Sequence, residues 1–178
     1  VGFIFGSVKA NPWWSTPLMP VVFIFSAVVL GVAGLMLIYM GLSLVRRVPI
    51  DMLCLDTIAK YLFFAFLIDF SLEMLDLIHR LYEADESLRA LDFMVKTKLF
   101  VSQIVMQILL GTLLPIVLLG AAQLRWASSR ARRWIYAVSG VLTLVGILAM
   151  RWNVVIGGQL FSKSFLGYTT YKMQFATR

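Results

Sequence analysis

The sequence predicts an all-α integral membrane protein, a helical bundle with four transmembrane helices in this chain. Three observations predict it. The 178 residues are 61% hydrophobic and 14% charged, where soluble domains carry about 25% charged residues, and the mean hydropathy is +0.89. Apolar runs long enough to cross a bilayer recur along the chain with short connections between them. Lys and Arg gather in those connections, so the net charge of +7 reports topology and not nucleic-acid binding.

The first span is expected at about 17–45, with Thr16 as N-cap and Pro17 as an acceptable first helical residue. The second, at about 58–83, carries most of the acidic residues that lie within spans, and Cys54 falls in the loop before it. The third runs over about 98–124, and Pro115 is expected to kink it. The fourth covers about 132–152. The tail 153–178 is Gly- and polar-rich, has no span of its own, and is expected at the outer surface or in a partner contact. Short connections make neighbouring spans antiparallel and residues 1–178 one transmembrane helical domain. Ser139, Thr143 and Gly146 on the fourth span, and Ala27, Gly31 and Gly34 on the first, form small-residue ridges that read as packing surfaces. Val1 is not a methionine, residues 2–5 read as the tail of a hydrophobic segment, and Thr177-Arg178 closes on no feature, so the chain is expected to be part of a longer subunit.

Orientation follows from the basic residues. Arg46, Arg47, Arg125, Arg130, Arg132 and Arg133 lie on one side; Lys9, Arg89, Lys96, Lys98 and Lys163 lie on the other, beside Glu83, Asp85, Glu86 and Asp92. The tight arginine cluster marks its side as cytoplasmic in a multi-pass protein of the inner, cytoplasmic membrane. Trp13, Trp14 and Trp152 then suit an aromatic belt at the outer face.

A single cysteine and a single histidine exclude much. An iron–sulfur cluster takes about four thiolates and a bis-histidine haem two imidazoles. The chain is therefore expected to hold no metal, no haem and no cluster.

The second span has the best functional lead. Asp69, Glu73, Asp76 and Arg80 follow one another at offsets of four, three and four. That keeps them in a stripe about 60° wide and about 16 Å long, half the depth of a bilayer core. A charge facing lipid at such depth costs at least ~2.5–3.5 kcal/mol, so the stripe faces protein or water. Carboxylates in such a setting exchange protons, and His79, about 60–100° off the stripe, extends a relay toward the outer surface. The alternative is a structural ion-pair network in which Arg80 and Arg151 neutralise Glu73 and Asp76. Three carboxylates exceed what one arginine needs, which favours proton transfer. Gln103 and Gln107, four residues apart on the third span, point either to hydrogen bonds with a ligand carbonyl or stripe carboxylate, or to interhelical glue.

Two motifs carry a family resemblance. Gly2-Phe-Ile-Phe-Gly-Ser, followed by Asn11-Pro-Trp-Trp-Ser-Thr-Pro-Leu-Met-Pro-Val-Val-Phe-Ile-Phe-Ser-Ala, resembles the segment linking two spans in the NrfD/PsrC family of membrane quinone-interacting subunits. Arg151-Trp-Asn-Val-Val-Ile-Gly-Gly-Gln is similar to an Arg-(Phe/Trp)-Asn motif that follows a late helix there, and the stretch 151–168 is nearest the DsrP-like branch of sulfur metabolism. Members have eight to ten spans, so this chain resembles the C-terminal half of such a subunit. The resemblance implies a quinone, menaquinone before ubiquinone, bound near the outer surface. It also implies an iron–sulfur, ferredoxin-like subunit docked there within a larger redox complex. Glu73, Asp76, His79 and Asp69 would then take the protons, with Arg80, Gln103, Gln107, Arg151 and Asn153 binding the quinone or supporting the site. The rival readings are a proton-coupled secondary transporter and a passive membrane anchor of a redox complex.

Overall fold

The computed structural model describes residues 2–6, 14, 17–82, 100–124, 128–157 and 159, and among these every regular element is helical. In chain order they are α1 (Gly2–Gly6), α2 (Met19–Arg46), α3 (Met52–Tyr82), π1 (Phe100–Leu113), α4 (Leu114–Gln123), α5 (Ser129–Trp152) and π2 (Asn153–Gly157).

Local chemistry sets the boundaries. α2 begins at Met19 with a proline in its first turn, so Pro17 lies before the helix and not at its first position; Thr16 is outside the described residues. The helix ends where Arg47 turns left-handed at φ 53°. There the N–H of Arg47 donates to the Leu44 carbonyl at 3.3 Å and that of Val48 to the Ser43 carbonyl at 3.1 Å. These bonds satisfy carbonyls left over at the helix end, and Pro49 prevents continuation. α3 starts at Met52, earlier than the expected residue 58. Asp51 explains the difference: its Oδ1 accepts from the Leu53 N–H at 2.9 Å, and its own N–H donates to the Tyr39 hydroxyl at 3.1 Å. Cys54 therefore sits exposed on the first turn of α3, not in a loop.

The third span is a composite. Residues Phe100–Leu113 wind with the wide i→i+5 pattern, and Leu114–Gln123 continue as an α-helix with Pro115 in its first turn. Pro115 has no N–H to continue the ladder, and the winding changes beside it. The expected kink is thus realised as a change of helix type. α5 begins at Ser129, three residues before expectation, because Ser128 caps it by accepting from the Ala131 N–H at 3.4 Å. Its far end does not stop at Trp152 but passes into π2, so the first residues of the predicted tail are helical.

α5 is the centre of the bundle, packed against π1, α2 and α4, while α3 packs against α2 and α4. Ser139, Thr143 and Gly146 are buried, as a packing ridge requires. Gly146 meets Gly111 of π1 backbone to backbone, so a Cβ on either would run into the other's Cα. The ridge expected on α2 behaves otherwise: Gly31 and Gly34 have nothing within 4 Å of where a Cβ would sit. α2 buries Val22, Ser26, Val29, Ala33 and Met36 in their place. The outward surface is apolar on every long helix, with Ile24, Leu35, Tyr61, Phe64, Val117 and Leu148 all exposed. Such a surface suits lipid as the solvent.

Among the described residues, three helical stretches are long and apolar enough to cross a membrane: Met19–Arg46, Phe100–Gln123 and Ser129–Ile156. α3 has 31 residues, enough at about 1.5 Å each to cross a hydrocarbon core of about 30 Å. What sets it apart is its charge: Asp56, Lys60, Asp69, Glu73, Asp76 and Arg80 all lie on it.

Candidate functional site

α3 turns its acidic stripe inward. Asp69 is only 5% exposed, and Glu73, Asp76 and His79 are half-buried. Asp69 and Asp76 both lie close enough to Glu73 to act on its charge. The side chain of Arg80 falls outside the described residues.

A directed hydrogen-bond chain leads toward Glu73. Ser102 Oγ donates to Asn153 Oδ1. Asn153 Nδ2 donates to Gln107 Oε1 at 3.0 Å, and the Gln107 side chain lies beside the Glu73 carboxylate, close enough to act on its charge. Gln107 spends its oxygen on Asn153, so its NH2 group is what it offers to Glu73. Each donor in the chain therefore points toward the carboxylate, and the bonds polarise one another in one sense. Asn153 is the hub: it is 1% exposed and both ends of its amide are used.

The winding of π1 explains why Ser102 belongs to this set. At i→i+5 spacing, Ser102 and Gln107 share a face. A sequence reading at α-helical spacing pairs Gln103 with Gln107 and passes over Ser102. Gln103 is half-buried, and its Oε1 has no partner among the described residues; Asp69 Oδ1 is in the same condition. The interior of this end of the bundle thus holds two buried acceptors with no donor among the described residues.

Arg151 takes a different place from that in the ion-pair alternative. Its guanidinium lies 5.9 Å from the centre of the Phe23 ring, a cation–π contact. Among the described residues it makes no ion pair with Glu73 or Asp76. Trp14 Nε1 donates to the Val154 carbonyl at 2.7 Å, across 140 residues of sequence. Trp14 and Leu72 pack on a cluster made of Met19, Val22, Phe23, Met150 and Val154. The two sequence motifs near the ends of the chain therefore meet in space, beside the acidic stripe. Trp14, a residue expected in an aromatic belt, has its indole N–H tied to π2.

A second polar cluster occupies the opposite end of α3. Arg132 Nη1 lies 2.7 Å from Asp56 Oδ2, and the Tyr136 hydroxyl donates to Asp56 Oδ1 at 2.9 Å. Arg132 is one of the residues read from sequence as a topology signal alone.

An all-helical bundle with spanning helices and one inward-facing charged stripe defines a multi-pass membrane protein. A family model described as "Polysulphide reductase, NrfD" matches residues 1–163, and the chain belongs to the NrfD family. Proteins of this family are membrane subunits of multisubunit redox complexes. No curated protein and no solved structure matches the chain.

Proposed function

We propose that this chain binds a quinone at the Glu73 end of the bundle and handles the protons of its redox chemistry, while electrons pass to an iron–sulfur, ferredoxin-like partner at that face. The observation that carries the reading is the directed chain Ser102–Asn153–Gln107, leading toward Glu73 beside the buried Asp69. Quinol oxidation releases two electrons and two protons, and the chain's own residues deal with the protons.

Glu73 and Asp76 accept them, His79 carries them toward the outer surface, and Asp69 extends the path inward. Gln107 holds the Glu73 carboxylate in one orientation, and Asn153 holds Gln107. The acceptors fit the quinol form of the group. Asp69 Oδ1 and Gln103 Oε1 are buried acceptors in need of a donor, and a quinol brings hydroxyl hydrogens. Arg151, Arg80 and Asn153 support the site by position and charge.

The same reading places the arginine-rich end in the cytoplasm of a cell whose inner membrane holds the complex. Menaquinone is the favoured quinone. The resemblance of residues 151–168 favours a DsrP-like branch of sulfur metabolism.

The test is electron exchange between a menaquinol analogue and the iron–sulfur centres of the intact complex. Wild type is compared with Glu73→Gln/Asp76→Asn. Fast cluster reduction in the wild type, lost in a normally assembled variant, is the expected result. Equal reduction in both removes the stripe from the chemistry, and no reduction in either removes the quinone.

A further inference from the structure

The Asp56 end of the bundle carries a site of its own. A cleft of about 320 Å³ opens between the start of α3, the end of α4 and the start of α5. Asp56, Lys60, Gln123, Arg132 and Tyr136 line it. Both oxygens of the Asp56 carboxylate are engaged, one by Arg132 and the other by Tyr136. What remains unsatisfied is all of one kind: Gln123 Nε2 and Arg132 Nε are buried N–H donors with no partner among the described residues. Lys60, exposed one turn beyond Asp56 on the same helix, adds an ammonium at the rim. With Asp56 and Arg132 neutralising each other, Lys60 leaves the cleft one positive charge. Two unpartnered buried donors beside a net positive charge describe a receptor for an anion, and a buried N–H without a partner is costly enough to want one.

Position narrows the anion. Lys60 lies about 12 Å along the axis from Met52, at about 1.5 Å per residue. Gln123 ends α4 and Arg132 stands in the first turn of α5, so the cleft lies at the helix ends, and the long Lys60 side chain can reach up toward the headgroup layer. Exposed Leu53 lines the cleft itself, and the outward surface of α3 and α4 is apolar, as Tyr61 and Val117 show, which suits acyl chains. Basic pockets between spanning helices on the cytoplasmic side bind anionic headgroups.

We propose that this cleft binds a phosphate group, carried by an anionic phospholipid of the arginine-rich leaflet, with Lys60, Gln123 and the Nε of Arg132 as its donors. Bound there, the lipid pins α3, α4 and α5 together at the end of the bundle remote from Glu73.

The test uses the intact complex in phosphatidylcholine nanodiscs, titrated with phosphatidylglycerol and read by native mass spectrometry after delipidation. The wild-type complex is expected to retain phosphatidylglycerol. Lys60→Gln/Gln123→Leu should weaken retention at least about tenfold, about 1.4 kcal/mol, while Lys60→Arg should keep it. Equal retention by wild type and the double variant overturns the proposal. A parallel titration with inorganic phosphate separates the two sources of the same chemistry. Phosphate bound by the wild type with phosphatidylglycerol ignored overturns the lipid assignment, and phosphatidylglycerol held against excess phosphate supports it.

Discussion

Replacing Asn153 by leucine tests the hydrogen-bond hub directly. The side chain is buried, and the change deletes two interhelical bonds at once, from Ser102 and to Gln107. In a water-soluble protein, two buried groups left unpaired would cost about 2–6 kcal/mol. In a membrane the unfolded reference state also finds partners, and measured interhelical bonds average about 0.6 kcal/mol with a maximum of about 1.7. The membrane value governs here, which puts Asn153→Leu at about 1–3 kcal/mol. Ser102 recovers part of its share by turning its hydroxyl back to a carbonyl of its own helix; Gln107 Oε1 has no such recourse. The assay is a double-mutant cycle with Gln107→Leu, read as unfolding of the purified subunit in a denaturing detergent. Removing both partners should cost less than the sum of the single changes, with a coupling of at least about 0.5 kcal/mol. Additivity within about 0.3 kcal/mol would refute the bond as a contributor to the fold.

Other consequences follow from the same geometry. Gly146→Ala should destabilise by about 1–3 kcal/mol through overpacking against Gly111, whereas Gly31→Ala, on an open face, should leave stability unchanged or raise it by up to about 1 kcal/mol in the same unfolding assay. Asp56→Ala strands Arg132, whose side chain is 14% exposed, and should cost more than Tyr136→Phe, which removes one bond to a charged acceptor worth about 1.5–3 kcal/mol; thermal inactivation of the intact complex ranks the two. Trp14→Phe removes the bond to Val154 together with part of the indole's packing, so a loss of at least about 1 kcal/mol is expected, with hydrogen exchange rising first around residues 153–157.

The helices and the inward stripe were legible in the sequence because each rests on local information. Apolar run length marks a span, and offsets of four, three and four put carboxylates on one face. Where a boundary moved, a short-range contact decided it: Asp51 drew the start of α3 forward, and Ser128 did the same for α5. The winding of π1 was not legible. Nothing in Phe100–Leu113 announces an i→i+5 pattern, and without it Ser102 has no reason to join Gln107. Contacts between distant segments were also out of reach. Arg132 and Asp56 are 76 residues apart, Trp14 and Val154 are 140 apart, and no periodicity links either pair. The open face around Gly31 shows the converse: small residues at helical spacing say that a close approach is possible, not where in the bundle it occurs.

The central claim is that Glu73 takes a proton when quinol is oxidised, under the hold of Gln107. Reaction-induced infrared difference spectroscopy of the intact complex reads it most directly, in the carboxyl C=O stretch that appears as menaquinol is oxidised. The account predicts a band present in the wild type, shifted in Gln107→Leu and absent in Glu73→Gln. The same band at the same frequency in Glu73→Gln would contradict it.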